Sequence, residues 1–148
     1  MKKGYLVIAQ NSNHDYVRMA YALALSIAQT QKRVRKISIA VDKNTIVPDK
    51  YKTVFDNVID IPFDDDALLS DWKINNKWKY YHMTPYDHTV ILDTDMLFTD
   101  DVSHWWDYFI QRDITSCCNV SSFRNEKANT NYYSCLLYTS PEPTRQEA

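Results

Sequence analysis

Thr89-Val90-Ile91-Leu92-Asp93-Thr94-Asp95-Met96-Leu97-Phe98 is the stretch that decides the fold of this chain. Its short apolar run is typical of a strand that is buried on both faces of a parallel sheet. Two carboxylates follow directly, and carboxylates are costly to bury unless a cation neutralises them. Because side chains two residues apart on an extended backbone point to the same side, Asp93 and Asp95 can bind the same ligand. The ligand that best fits two carboxylates is a divalent metal ion, which prefers hard oxygen donors.

Length and composition predict one globular domain. The chain has 148 residues, of which 45% are hydrophobic and 24% charged, enough for a single hydrophobic core. A formal net charge of −2 gives no electrostatic signal for nucleic acid or an anionic membrane. No apolar run is long enough to span a bilayer, and the amino-terminal one is too short for a signal peptide. Three cysteines without zinc or disulfide spacing favour a cytoplasmic location with reduced thiols.

Several common kinds of site are excluded or not indicated by the residue pattern. Gly4 is the single glycine, whereas Gly-rich phosphate loops and the dinucleotide fingerprint need several. The four histidines show no i, i+4 metal spacing, and only His14 lies in a loop expected to face the site. The chain order of serine, histidine and aspartate does not suggest covalent hydrolase chemistry.

Strands and helices are predicted to alternate along the chain. The predicted strands cover residues 5–10, 36–41, 57–61, the apolar run before Asp93, and 114–120; the predicted helical segments cover 16–31, 48–55, 72–83 and 102–110. This order predicts an α/β fold with a mostly parallel central sheet and helices on both faces. Ligands bind outside the carboxyl ends of such strands, where residues 9–11, Asp42 and the Asp93/Asp95 pair are expected to lie.

The block of residues 86–109, with its core Val-Ile-Leu-Asp-Thr-Asp-Met-Leu-Phe, resembles nucleotide-sugar-dependent glycosyltransferases of the A-type, Rossmann-like fold. Their hallmark is an Asp-any-Asp motif that closes a buried strand. The resemblance covers about residues 4–133 and includes further matching segments: Ala9-Gln10-Asn11, Asp15-Tyr16, the helical stretch 20–27, and Lys77 and Lys79 ahead of the motif. The combination is far more specific than the tripeptide alone, which is common.

The resemblance implies a metal-dependent enzyme that moves a sugar from a nucleoside-diphosphate sugar to an acceptor that the sequence does not identify. Asp95 would ligate Mn²⁺ or Mg²⁺, and Asp93 would contact the metal or the hydroxyls of the donor. The metal would stabilise the charge that develops on the departing diphosphate. The nucleotide-sugar site would also include Lys77 at the diphosphate, Tyr16 stacked on the base, Ala9 and Asn11 through their backbone, Asp42 at base or ribose, and Thr94 within the motif.

The motif carboxylates, Lys77 and Tyr16 also have a purely structural interpretation. One motif carboxylate would then only cap the next turn, Lys77 would lie on a solvated helix face, and Tyr16 would be an aromatic residue at the core edge. The aromatic residues after the motif are expected mainly to pack a helix onto the sheet, with Trp106, Phe109 and Ile110 on its inner face.

The end of the chain departs from the preceding pattern. Residues 135–148, which begin Cys-Leu-Leu-Tyr-Thr-Ser-Pro, resemble the translation of a sequencing adapter, and we expect them not to be natural protein. Residues 1–134 would then be the nucleotide-sugar-binding, amino-terminal part of a glycosyltransferase domain, cut after its fifth strand. The rest of the catalytic site, including any further metal ligand, would lie beyond it. The alternative is a disordered polar tail.

Two other functions use the same motif. In a haloacid-dehalogenase-type phosphatase or phosphotransferase, Asp93 would be the nucleophile and Asp95 the acid/base. That family normally carries the motif on its first strand and has Thr or Val where this chain has Leu97. A non-catalytic nucleotide-binding module, which keeps the fold without turnover, is the third possibility.

Overall fold

One sheet organises the computed structural model, which describes residues 1–65, 67, 73–116 and 136–139. Over these residues the strands are β1 Lys3–Ile8, β2 Ile37–Val41, β3 Asn57–Asp60, β4 His88–Leu92, β5 Ile114–Ser116 and β6 Leu136–Thr139. Their order across the sheet is β3-β2-β1-β4-β6-β5. The strands β3, β2, β1 and β4 run parallel, and β6 pairs antiparallel with both β4 and β5. The predicted α/β fold with a mostly parallel sheet is confirmed.

The helices follow the predicted order but differ in type. They are α1 Tyr16–Thr30, α2 Asp49–Lys52, a 3-10 helix Lys73–Lys79 that continues into α3 Tyr80–Met83, and a 3-10 helix Ser103–Trp105 that continues into α4 Trp106–Phe109. Asp15 caps α1, because its Oδ1 accepts from the backbone N–H of Arg18 at 3.0 Å. Across the ranges described above, no helix is both long and apolar enough to span a membrane.

Helices pack on both faces of the sheet, which confirms that part of the prediction. Side chains alternate between the faces of a strand, so neighbouring residues of β1 enter different clusters. Tyr5 and Val7 pack with the buried face of α1. Leu6 packs with Tyr80 and Met83 of α3 in a second cluster. The 3-10 helix that leads into α3 therefore approaches the sheet from the face opposite α1.

The strand β6 lies within the stretch that we expect to be a non-natural tail. It pairs with β4 through His88 and Thr139, Thr89 and Tyr138, and Val90 and Leu137. The sheet thus has a sixth strand, where the sequence predicted a fifth as the last. An uncovered edge of β4 would present unpaired backbone groups, and a short apolar segment of any origin can pair with them.

Polar contacts tie the segment after the motif to the end of α1. Arg33 donates two hydrogen bonds of 2.8 Å to the carboxylate of Asp107. The Oδ1 of Asp101 accepts from the hydroxyl of Ser103 at 2.5 Å and from the backbone N–H of Lys32 at 3.3 Å. The hydrogen bond from Arg33 lowers the pKa of Asp107, and that from Ser103 lowers the pKa of Asp101.

We expect these two carboxylates to make the fold sensitive to acid. Since each has a folded-state pKa below its ordinary value of 3.8, its stabilising contribution is complete above that value and disappears as the pH falls through the folded-state pKa. The free energy of unfolding, measured in urea from about pH 5 to pH 2.5, should therefore decrease less steeply in Asp101→Asn than in the wild type. Asp60→Asn removes an exposed carboxylate of β3 and serves as control. Equal slopes in Asp101→Asn and the wild type would contradict the expectation.

Candidate functional site

The carboxyl ends of the parallel strands form one edge of the sheet, and the motif lies at the centre of that edge. The register pairs Val7 of β1 with Leu92 of β4 and Val41 of β2 with Asp60 of β3. From β1 the chain proceeds outward through β2 and β3, then returns to place β4 on the other side of β1. Open α/β sheets bind ligands outside the carboxyl ends of their strands at such a reversal. The motif aspartates directly follow β4 at this point.

The motif itself is a turn rather than the end of a strand. β4 ends at Leu92, and the backbone N–H of Met96 donates to the carbonyl of Asp93 at 3.4 Å. The premise that an extended backbone aligns Asp93 and Asp95 is therefore wrong, because the strand hydrogen bonds stop before the first carboxylate. Asp93 is half-buried, Thr94 is buried and Asp95 is exposed. Both carboxylates are therefore partly or fully open to solvent.

Lys77 supplies a positive charge at the first motif carboxylate. Its Nζ contacts Oδ1 of Asp93, and the side chains are 41% and 44% exposed, respectively. Ile91 of β4 faces the layer that contains α3, and Asp93 directly follows β4, so the motif begins close to the 3-10 helix that carries Lys77 and continues into α3. Exposed ion pairs contribute about 0–1 kcal/mol to stability, so this pair adds little to the stability of the fold. Its main consequence is that the ammonium group of Lys77 lies at the first motif carboxylate.

A group of buried amide and carboxylate side chains lies beside this ion pair. Nε2 of Gln10 donates to Oδ2 of Asp42 at 2.8 Å and to both carboxylate oxygens of Asp65 at 3.3 Å. Nδ2 of Asn76 donates to Oε1 of Gln10 at 2.8 Å and to Oδ1 of Asp65 at 2.6 Å. We call Gln10, Asp42, Asp65 and Asn76 the amide–carboxylate network. Gln10, Asp42 and Asn76 are buried.

The network joins the carboxyl ends of β1 and β2 to the 3-10 helix Lys73–Lys79. Asp42 was predicted to lie at this edge, and so was the segment 9–11 that contains Gln10, although Gln10 was given no role of its own. Asp65 and Asn76 were not predicted to belong to the site. A signal for Gln10 exists in the alternation of β1, since Leu6 faces α3 and positions at even spacing share that face. Nothing comparable marks Asp65 or Asn76, because neither lies on a strand.

The other predicted nucleoside contacts lie near the start of α1. The backbone N–H of Ala9 donates to the carbonyl of Ala40 at 2.9 Å, and that of Asn11 donates to the hydroxyl of Thr45 at 2.9 Å. Both N–H groups are thus used inside the protein. The side chain of Asn11 accepts from the backbone N–H of Val17 at 3.1 Å and so holds the first turn of α1.

Tyr16 and Asp42, the two remaining predicted nucleoside contacts, both have partners within the protein. Tyr16 is half-buried against the core, with its ring centroid 6.0 Å from that of His14. Asp42 accepts a second hydrogen bond, of 3.0 Å, from the backbone N–H of Asn44. The structure therefore brings Lys77 to Asp93 and Asp42 into the network. Asn11 holds the start of α1, Tyr16 is the first residue of that helix, and Ala9 extends the pairing of β1 with β2.

The loop that enters the network has a strained backbone. Phe63 has a φ of 63°, in the left-handed region that bulky residues rarely adopt, although its side chain is 65% exposed. Such strain costs about 1–3 kcal/mol and persists where the surroundings impose it. The next two residues are held from the 3-10 helix, because Nζ of Lys79 contacts the carbonyl of Asp64 and Asn76 binds Asp65.

The motif carboxylates fit a divalent cation only together with oxygen ligands from a bound molecule. In the part of the chain that the structure describes, no three His, Cys, Asp or Glu side chains form a group that could hold a metal ion. Mg²⁺ in particular is commonly held by one or two carboxylates, with phosphate oxygens and water completing its shell. A divalent ion held by Asp93 and Asp95 would therefore need oxygen atoms from another molecule to complete its shell.

Comparison with known proteins does not identify a family. No protein-family model matches the chain, and no curated protein matches it either. A function is therefore inferred from the residues and contacts at this edge of the sheet alone.

Proposed function

We propose that this chain binds a nucleoside-diphosphate sugar as part of a metal-dependent glycosyltransferase. The observation that carries the proposal is the contact between Lys77 and Asp93 where the strand order reverses. A cation and two accessible carboxylates at that point suit a diphosphate with its divalent ion. A site for a neutral ligand would need none of these charges.

The proposed roles divide between the two charges. Asp93 and Asp95 would hold Mn²⁺ or Mg²⁺, hard cations that suit carboxylate and phosphate oxygens. When bound, the ion supplies Lewis-acid stabilisation of the diphosphate leaving group. Lys77 would add a point charge to the same group, and its present contact with Asp93 is weak enough to be exchanged, because an exposed ion pair stabilises by only about 0.2–1 kcal/mol.

The nucleoside would lie toward β1 and β2. Asp42 is bound by Gln10 and Asn44, and each of its oxygens retains a lone pair for a base or ribose donor. Tyr16 would stack on the base at the start of α1. Contacts from Ala9 and Asn11 would use their carbonyl groups, since their N–H groups bind Ala40 and Thr45. Thr94 would act through its backbone, because its side chain is buried.

Thermal unfolding with UDP or GDP, each with and without Mn²⁺, tests this function. A nucleotide at a hundredfold excess over its dissociation constant stabilises a protein by about 2.7 kcal/mol, so binding should raise Tm clearly. In Asp95→Asn the part of the shift that depends on Mn²⁺ should disappear. Asp100→Asn, which removes an exposed carboxylate from the same loop, should keep it.

Two results would contradict the proposal. The first is a Tm that responds to neither nucleotide under any condition. The second is a full Mn²⁺-dependent shift in Asp95→Asn, which would remove the metal from the motif. A nucleotide shift without any metal dependence would instead favour a binding module that does not catalyse transfer.

A further inference from the structure

The 3-10 helix that carries Lys77 is fixed to the protein at two buried points. Asn76 and Lys79 are both fully buried. Asn76 binds Gln10 and Asp65, and Nζ of Lys79 contacts the carbonyl of Asp64. A 3-10 helix has three residues per turn, so these two side chains lie in one line along its inner side. Lys77 lies between them in sequence and is directed away from that line, toward Asp93.

This helix needs outside support to keep its shape. It runs for seven residues, whereas 3-10 segments longer than three or four residues are uncommon because their hydrogen bonds are poorly aligned. The support comes from polar groups: Gln10 uses both hydrogens of its amide for two different carboxylates and its oxygen for Asn76. The carboxylates of Asp42 and Asp65 fix the orientation of the Gln10 amide, since only its nitrogen can donate to them.

Stability alone does not explain this arrangement. Two carboxylates accept hydrogen bonds from the same nitrogen of Gln10, and like charges held close together in a buried site disfavour each other. Apolar side chains of the same volume would fill the space at lower electrostatic cost. The network does, however, fix the direction of each group, because every hydrogen bond in it has one donor and one acceptor that cannot be exchanged.

We propose that Gln10 and Asn76 are positioning residues, which hold Lys77 on the motif carboxylate Asp93. They act through the 3-10 helix, because Asn76 is the residue before Lys77 and its amide is bound directly to Gln10. An effect of these residues on diphosphate binding rests on the proposed function. The placement of Lys77 itself can be measured without any nucleotide.

The first test measures how fast the Nζ of Lys77 reacts with an amine-acylating reagent, by mass spectrometry after a short pulse. Gln10→Met keeps the length of the side chain and removes its hydrogen bonds. Release of Lys77 from Asp93 should accelerate its acylation roughly two- to fivefold, the range that an exposed ion pair can protect. Lys50 of α2, which is exposed, serves as the internal reference. Asp93→Asn gives the rate expected for complete release.

Gln31→Met is the matched control. Gln31 is also a buried glutamine with hydrogen bonds, to the carbonyl of Asp100 at 2.8 Å and from the backbone N–H of Val102 at 3.1 Å. This variant should lose stability without changing the acylation of Lys77. The smaller change Asn76→Ser is measured alongside, so that a folding defect of Gln10→Met leaves the test intact. An unchanged rate in the folded network variants, or an equal increase in Gln31→Met, would overturn the proposal.

The second test measures the affinity for UDP with Mn²⁺ in a double-mutant cycle. If Gln10 acts through Lys77, Gln10→Met should weaken binding in the wild type and have no further effect in Lys77→Met. A purely structural role would weaken binding equally in both backgrounds and overturn the proposal. Should the wild type bind no nucleotide, the proposed function fails, and the acylation experiment still decides whether Gln10 and Asn76 position Lys77.

Discussion

Gly4→Ala should destabilise the fold severely, because the added methyl group meets the ring of Tyr86. A Cβ at this position would lie 2.6 Å from Cε1, 2.5 Å from Cε2 and still closer to Cζ. Gly4 lies in β1, which is paired on both sides, so the strand cannot move away. Tyr86 is equally fixed: it is 5% exposed and its hydroxyl is 2.7 Å from that of Ser38.

The expected loss for Gly4→Ala is about 1–3 kcal/mol or more, the usual range for overpacking a rigid core. Urea unfolding followed by circular dichroism measures it. The same substitution in a Tyr86→Ala background should cost little, because the space that the ring occupied accepts the methyl group. Equal costs in the two backgrounds would show that the ring is not the cause.

This glycine illustrates what the sequence could and could not predict. Because Gly4 is the single glycine of the sequence, phosphate loops that need several glycines were excluded. Its packing partner Tyr86, however, is 82 residues away, and no local pattern connects the two. The strands β1, β2 and β4 were predicted correctly because each is a short apolar run, which is a local property. The helix α1 was also predicted correctly, because its apolar residues recur at helical spacing, which is likewise a local property.

The helix before the motif shows the limit of local patterns. The sequence predicted one continuous helix, and the structure shows 3-10 geometry over Lys73–Lys79 before α3 begins. Asn76 and Lys79 are polar and would ordinarily face solvent. In the structure they are buried and bind Gln10, Asp64 and Asp65, which come from other parts of the chain.

The candidate site was predicted in part. Asp42 and Asp93 were expected at the carboxyl ends of their strands and are found there. Gln10 belongs to the segment 9–11 that was expected there, but its hydrogen bonds with Asp65 and Asn76 are long-range, and no local pattern predicts them. The sequence premise that an extended backbone aligns the two motif carboxylates failed, because strand pairing ends at Leu92 and tertiary structure sets where a strand stops.

Trp106→Ala should cause a comparable or larger loss of stability, about 3–5 kcal/mol, as expected for removing a buried tryptophan. Trp106 is 2% exposed, and its ring lies 5.5 Å from that of Tyr5 and 6.1 Å from that of Phe109, both edge-on. Its Nε1 donates to the hydroxyl of Tyr5 at 3.3 Å, and burial raises the pKa of Tyr5 to about 12. The predicted packing of Trp106 is confirmed, whereas Ile110 is 41% exposed.

The neighbouring Trp105 provides a matched control, because it has the same chemistry but is 43% exposed. Trp105→Ala should lower the free energy of unfolding far less than Trp106→Ala, and equal losses would contradict the assignment of Trp106 to the core. Trp106→Phe keeps an aromatic ring and removes the hydrogen bond to Tyr5, so its loss of stability should be intermediate.

The core around Trp106 also reaches the segment after the motif, because Tyr5 packs edge-on against Phe98, at 5.5 Å between ring centroids. Since Phe98 follows Asp95 by three residues, Trp106→Ala should loosen the segment after the motif and weaken Mn²⁺-dependent nucleotide binding, whereas Trp105→Ala should leave it unchanged.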